Sequence, residues 1–256
     1  MEKVSEKIAK SEILKHFAEN GPDVTVFDVT DSTNTRARDL LKDGKQPPFV
    51  LAADRQTAGR GRHGNSFFSP ERGLYYTLAV VPRDYQTALA KTTIAAAVSL
   101  YEAIEDVAGI SCRIKWVNDL YLNDRKVAGI LCEAPRAEDG RPLGIIIGIG
   151  INIAQKQFPP ELEGKAGSLN RPDLDRNALA AQLTKRLLYW CDHLDDPALT
   201  AAYKAHSLLL GREVSFVQNG ITVTGIAEDI NEDGNLLVRS DRLYVLNSGE
   251  VSLVSW

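Results

Sequence analysis

The spacing of hydrophobic positions along this chain changes several times, and each change marks an element. Residues 3–19 carry apolar positions at helical spacing and stop at Asn20-Gly21-Pro22, which predicts a short amphipathic helix. From residue 24 the period shortens towards two. The segments 24–29 (VTVFDV) and 48–53 (PFVLAA) predict strands, and 32–44 predicts a helix between them, capped by Ser32 or Thr33. A further strand is expected at 74–81. A helix follows over 88–108, with Leu89, Ala90, Ile94, Ala97, Val98, Tyr101 and Ile104 on one buried face. Strands are then expected at 113–116, 120–122, 126–134 and 143–153, and the turns at Asn123-Asp124 and Asp139-Gly140 predict antiparallel hairpins.

Residues 177–194 place Leu179, Leu183, Leu187, Trp190 and Leu194 on one helical stripe, and 197–209 predict a second helix. After Gly211 the texture changes again. Five short strands, joined by turns such as Asn219-Gly220 and Asp233-Gly234, predict a small closed β-barrel. At about fifty residues such a unit is marginal alone, so it is expected to dock on its neighbour. The pattern therefore divides the chain into a helical extension at 1–23, a main α+β domain at 24–209 and the barrel at 210–256.

Composition narrows the function classes. The net charge of −4 excludes nucleic-acid binding by bulk electrostatics. The three cysteines, Cys112, Cys132 and Cys191, are odd in number, flanked by apolar residues and lack CxxC or Cys/His spacing; they read as reduced, buried and not metal-bound. Residues 1–21 carry no signal-peptide pattern, and no apolar run reaches membrane-spanning length, so a cytoplasmic protein without membrane partners is expected.

Four polar clusters interrupt the apolar strands. The first is DSTN (31–34), whose plainer reading is a helix N-cap. The second is DRQTAGRGRHGNSF (54–67). A solvated loop would explain its glycines, yet Arg60 and Arg62 between them suit an oxyanion chain, because arginine offers paired donors and glycine lets backbone N–H groups approach. The third, IKWVNDLYLNDRKVAGI (114–130), places Lys115 between Ile114 and Trp116. If those two face the core, Lys115 faces the other way, with Asn118 and Asp119 at the strand's end. The fourth is GIGIN (148–152), where glycines permit close approach or simply relieve strand crowding. The four histidines share no metal or triad spacing, and GxSxG, Walker A and strand–GxGxxG–helix signatures are absent. What remains is an arginine–lysine site for a polyphosphate and a carboxylate, suited to a displacement driven by positioning and charge neutralisation.

DSTN, QTAGRGRHGNSFFSP, KWVNDLYLNDRKVAGILCE and GIGINI, in that order and followed by a small β-unit, resemble the biotin–protein ligases over roughly residues 26–256. The resemblance implies a central mixed β-sheet flanked by helices, related to class II aminoacyl-tRNA synthetases, with an SH3-like C-terminal domain. It implies biotin and MgATP as substrates, biotinoyl-5′-AMP as intermediate, and a lysine of a biotin carboxyl carrier protein as acceptor. Carried over by position, Ser32, Thr33, Asn34 and Gln56 would hold the biotin head, and Gly59, Arg60, Gly61 and Arg62 would close over its carboxyl and the phosphates. Lys115 would bind the carboxylate and later the oxygens of the acyl-adenylate. Phe67, Asn118, Lys126 and Asn152 would serve the nucleotide, and Asp119 the magnesium ion.

The chain departs from the family pattern at Val117, where proline is usual, and at Phe67, where tryptophan usually covers the adenine. Some relatives carry an N-terminal winged helix-turn-helix; fewer than thirty residues precede the core here, so no sequence-specific DNA binding is expected. Many relatives dimerise through a sheet edge, so a homodimer is compatible with the resemblance. Two rivals stand beside it: a lipoate–protein ligase with the same acyl-adenylate chemistry, against which GRGR and the C-terminal unit speak, and a non-catalytic biotin sensor.

Overall fold

The structure, a computed structural model, describes residues 7–18, 21–82 and 85–255, without the side chains of residues 86–88. Strand β1 (Asp23–Thr30) crosses through helix α2 (Thr33–Lys42) to β2 (Phe49–Gln56), and the two strands pair in parallel, Val24 opposite Val50. Every other ladder between named strands among the described residues is antiparallel. Strands β3 (Gly73–Val80), β4 (Arg113–Lys115), β5 (Asp119–Leu122), β6 (Arg125–Glu133) and β7 (Ile145–Asn152) complete a mixed sheet in the order β1-β2-β3-β7-β6-β5-β4.

Alternation along β2 shows how the layers form. Val50 and Ala52 join the core under helices α3 (Tyr85–Ala108) and α4 (Arg176–Asp192), while Phe49 and Leu51 pack on the opposite face with Ala37 and Leu41 of α2. With a helical layer on each face, β3 is buried at all eight of its positions. The Asn123-Asp124 turn joins β5 to β6 with both residues at positive φ, 49° and 59°, the backbone of a tight two-residue hairpin.

Several expectations need correction. The N-terminal helix is only α1 (Lys10–Leu14) within the described residues; positions 3–6 and 19 lie outside them. Ala9, extended at φ −142°, donates its N–H to Asn177 Oδ1 at 2.9 Å, and that tether stops the helix from starting earlier. In α3 the buried stripe begins at Ile94, because Leu89 and Ala90 lie at the exposed end of the helix. Helix α5 (Pro197–Ala205) ends before 209. His206 caps the helix and Ser207 bridges Ile114 of β4 in parallel, with Ile114 N donating to His206 O (2.8 Å) and Leu208 N to Ile114 O (2.7 Å). Satisfying that sheet edge outweighs another turn of helix.

The C-terminal strands β8 (Glu213–Gln218), β9 (Ile221–Ile230), β10 (Leu236–Arg239), β11 (Leu243–Leu246) and β12 (Val251–Leu253) form one antiparallel sheet, ordered β11-β10-β9-β8-β12. These are the five short strands expected after Gly211, and no ladder joins β11 to β12 among the described residues. The small sheet docks on the main sheet as expected. Trp116 Nε1 donates to Gly234 O at 2.9 Å, and Lys204 pairs with Asp229 at 2.7 Å. Cys112 is buried while Cys132 and Cys191 are half-buried; all three are free thiols, and burial pushes each up to about 12. No helix of the described residues is long and apolar enough to cross a membrane.

Candidate active site

A cavity of about 300 Å³ opens over β6 and β7. Its floor is glycine. Gly129 of β6 and Gly150 of β7 pair directly, and Gly148 lies two pairs further along, opposite Leu131. A Cβ on Gly150 would enter the Phe67 ring, and one on Gly148 would overlap the Asn34 amide, so other groups occupy the space that side chains would take. The close-approach reading of GIGIN therefore describes two of its glycines.

The polar end of the cavity is built at the start of α2. Ser32 caps that helix, accepting weakly from Thr35 N at 3.5 Å, and Thr33 and Asn34 form its first turn. Thr33 donates from its backbone N (2.8 Å) and Oγ1 (3.0 Å) to Gln56 Oε1 at the end of β2. Thr77 Oγ1, buried on β3, lies 2.8 Å from both Thr33 Oγ1 and Asn34 Oδ1. Asn34 Nδ2 donates to Glu133 Oε2 (2.9 Å) and to Leu131 O (3.2 Å). Each amide and hydroxyl is thereby held in one orientation before any ligand arrives.

The loop at 58–67 forms one wall. It folds as a small hairpin: Arg60 bridges Ser66, Gly61 N donates to Asn65 O (2.7 Å), and Phe67 N donates to Gly59 O (2.9 Å). Its tip turns through His63 and Gly64, both at positive φ. Arg60 approaches Glu133 at 3.3 Å, and Arg62 Nη1 donates to Asn118 Oδ1 at 3.2 Å. Sequence proximity suggests Asp54 as an acid for these arginines, but Asp54 is engaged elsewhere, 2.7 Å from Arg176. The Phe67 ring lies over the glycine floor, edge-on to Tyr75 at 6.5 Å between centroids.

The opposite wall comes from β4 and β5. Ile114 and Trp116 are buried, so the alternation sends Lys115 into the cavity, as its spacing predicted. No carboxylate pairs with Lys115 among the described residues, and its Nζ stands 5.4 Å from the Tyr121 ring centroid. Burial lowers the Lys115 pKa, aided by the Lys126 charge, while Asp119 and Glu250 pull it upward. Lys126 and Asp119 form an ion pair at 2.7 Å. The lining holds four cations, Arg60, Arg62, Lys115 and Lys126, against two carboxylates, Asp119 and Glu250, which leaves it electropositive within an acidic protein. The Trp116–Val117 peptide is cis.

Ser32, Thr33, Asn34, Gln56, Arg60, Gly61, Arg62, Phe67, Lys115, Asn118, Asp119 and Lys126 thus share one cavity. Two candidates stand outside its lining. Gly59 lies behind the loop, where a Cβ would strike Phe67 O and Ser69 Oγ, and Asn152 is buried at the end of β7, donating to Gly167 O at 3.0 Å. Sequence reasoning missed Thr77 and Glu133, which sit on strands with ordinary strand composition. It also missed residues 249–252, which bring the turn before β12 into the cavity wall. Glu250 sits in a polar turn, Asn247-Ser248-Gly249, that looks like any connection between strands.

The model of the biotin/lipoate A/B protein ligase family matches residues 26–152, and that of the biotin protein ligase C terminal domain matches residues 209–254. The bifunctional ligase/repressor BirA of Bacillus subtilis is 32% identical over 86% of this chain and 70% of its own length. The biotin--[acetyl-CoA-carboxylase] ligase of Mycobacterium tuberculosis is 31% identical over 88% of both chains. Among solved structures, the biotin protein ligase of Aquifex aeolicus in complex with biotin and ATP superposes with a TM-score of 0.75 at 29% identity, covering 90% of this chain and 98% of that one. A glycine-floored cavity with a hydrogen-bonded polar end and a cationic wall, joined to these similarities over both sheets, places the chain in the biotin/lipoate A/B protein ligase family.

Proposed function

We propose that this protein is an ATP-dependent ligase that activates biotin as biotinoyl-5′-AMP and transfers the biotinoyl group to one lysine of a biotin carboxyl carrier protein. The observation that carries the reading is that one cavity joins a rigid hydrogen-bonded pocket to an electropositive wall. A ureido ring needs its donors and acceptors matched in a dry pocket, and Ser32, Thr33, Asn34 and Gln56 supply such partners in fixed orientations. The carboxyl at the other end of biotin then faces Lys115, Arg60 and Arg62.

In the first step a carboxylate oxygen attacks the α-phosphorus of ATP. The new O–P bond forms as the bond to the bridging oxygen breaks, and pyrophosphate leaves with that electron pair. Lys115 and the two arginines neutralise the approaching anions and the charge that builds on the phosphoryl oxygens. In the second step the unprotonated acceptor amine attacks the acyl carbon, AMP leaves, and the amine gives up its proton to water. The Gly59–Gly61 backbone and the loop around it exclude solvent from the acyl-adenylate. Asn118, Lys126 and the Phe67 ring serve the nucleotide, with Asn152 contributing through the Gly167 backbone it holds.

Mg2+ fits as the companion of the nucleotide phosphates. Asp119, paired with Lys126, would offer one carboxylate, and no group of three His, Cys, Asp or Glu side chains gathers among the described residues, so phosphates and water would have to supply the other ligands. We assign the catalytic unit to residues 24–209 and the accessory unit to 210–256, after an extension at 1–23. Mass spectrometry of a carrier domain incubated with biotin, MgATP and this protein tests the reading. Addition of one biotinoyl group to a single lysine is expected. A carrier that stays unmodified by biotin but gains a lipoyl group when lipoate replaces it would overturn the biotin assignment.

A further inference from the structure

Glu133 stands just behind the cavity wall and contacts three groups at once. Its Oε2 accepts from Asn34 Nδ2 at 2.9 Å, and its Oε1 accepts from Arg38 Nη2 at 2.5 Å and lies 3.3 Å from Arg60 Nη1. One carboxylate therefore answers two guanidinium groups, and the two contacts are unequal. Arg38 makes the shorter one and is 26% exposed; Arg60 makes the longer one and is 41% exposed. Arg60 is the partner that can leave at small cost, and Arg38 then keeps the carboxylate compensated and in place.

The Asn34 contact has a different consequence. The Asn34 amide can face only one way, because Thr77 Oγ1 lies against its oxygen while Glu133 and Leu131 O take its N–H groups. From this geometry we infer that Glu133 is a positioning residue with two separable effects. It orients the Asn34 amide for the head of the ligand, and it stations Arg60, so that an anionic ligand must draw Arg60 away from it. The affinity of the site for neutral head groups then depends on Glu133 as a hydrogen-bond acceptor. Its affinity for anions is set against the charge of Glu133. This inference rests on the biotin and ATP reading of the cavity.

The two effects come apart in a pair of variants. Glu133→Gln keeps an oxygen for Asn34 Nδ2 but removes the charge, leaving Arg38 and Arg60 uncompensated and turned towards a ligand. Glu133→Ala removes both. Calorimetric titrations with biotinamide, which has the head but no carboxylate, and with MgATP separate the outcomes, after a thermal melt has shown both variants folded. With Glu133→Gln, biotinamide affinity is expected within about twofold of the parent protein, while MgATP binds about three- to fivefold tighter, the scale of a partly exposed ion pair. With Glu133→Ala, biotinamide is expected to weaken about tenfold, the scale of a buried amide left without its partner. MgATP binding that does not tighten in Glu133→Gln would overturn the stationing of Arg60. Biotinamide binding unchanged in Glu133→Ala would overturn the orientation of Asn34. If Glu133→Ala does not fold, loss of biotinamide affinity in Glu133→Gln serves as the contrary result. A parent protein that binds neither ligand would sink the functional reading itself, which is a different outcome from variants that behave like a binding-competent parent.

Discussion

Replacing Lys115 by methionine keeps an unbranched apolar stem and removes the charged end. The ammonium lies in the cavity with no carboxylate paired to it among the described residues, so its stabilising partner is to be supplied by the reactants. A full charge pair at about 4 Å and an effective dielectric near 20 is worth about 4 kcal/mol. Arg60, Arg62 and Lys126 remain in the same cavity and recover part of that loss. A net cost of about 3 kcal/mol corresponds to about a hundredfold slower adenylate formation.

The same substitution should stabilise the ligand-free protein. Burial lowers the folded pKa of Lys115 below its ordinary 10.5, so between the folded value and 10.5 the unfolded chain binds more protons than the folded one. The cost of burying the ammonium is present in full below the folded pKa and fades as pH rises towards 10.5. Lys115→Met removes that cost at every pH, so the variant should melt higher than the parent, with the gap closing in alkaline buffer. Pyrophosphate release with biotin and MgATP measures the first effect, and thermal melts across pH measure the second. Near-normal pyrophosphate release would refute the role given to Lys115, and a variant that melts lower would refute the claim that its charge is poorly compensated.

Four further outcomes are expected. Gly148→Ala should weaken biotin binding about tenfold or more, since its Cβ overlaps the Asn34 amide; titration with biotin checks it, and ATP affinity should move less. Phe67→Ala should weaken ATP binding about tenfold, the scale of one aromatic–base stack, and Phe67→Trp should tighten it; an ATP affinity indifferent to both changes would remove Phe67 from the nucleotide site. Tryptic cleavage between Arg55 and Arg62 should slow when biotin and ATP are added together, and equal rates with and without ligands would show that the loop does not close over them. Trp116→Phe leaves Gly234 O without its donor and should cost about 1–3 kcal/mol in denaturant unfolding. No loss there would mean that water replaces the indole N–H.

What the sequence revealed follows from the range of the forces involved. Alternation along β4 was enough to aim Lys115, because the pleat repeats every two residues whatever lies across the sheet. The glycines of β7 were legible for a similar local reason. Glu133 was not. It reaches Asn34 and Arg60 because β7 lies between β3 and β6, and that strand order is not written in any short segment. The end of α5 was misread because residues 206–208 answer the open edge of β4, a demand arising more than ninety residues away. The loop shows both sides: its glycines and arginines announced an anion site, while the acid beside Arg60 came from another strand and Asp54, the near one, went to Arg176.

The reach of residues 249–252 into the cavity wall ties the two sheets together in function. The glycine floor, the polar pocket and the cationic loop are built on the large sheet, yet the wall beside Lys115 also needs the small one. That wall stands only while the turn carrying Glu250 is held, and β12 is anchored there by its pairing with β8. Damage to the small sheet would leave nearly every chemical group of the site untouched and still let water in beside Lys115.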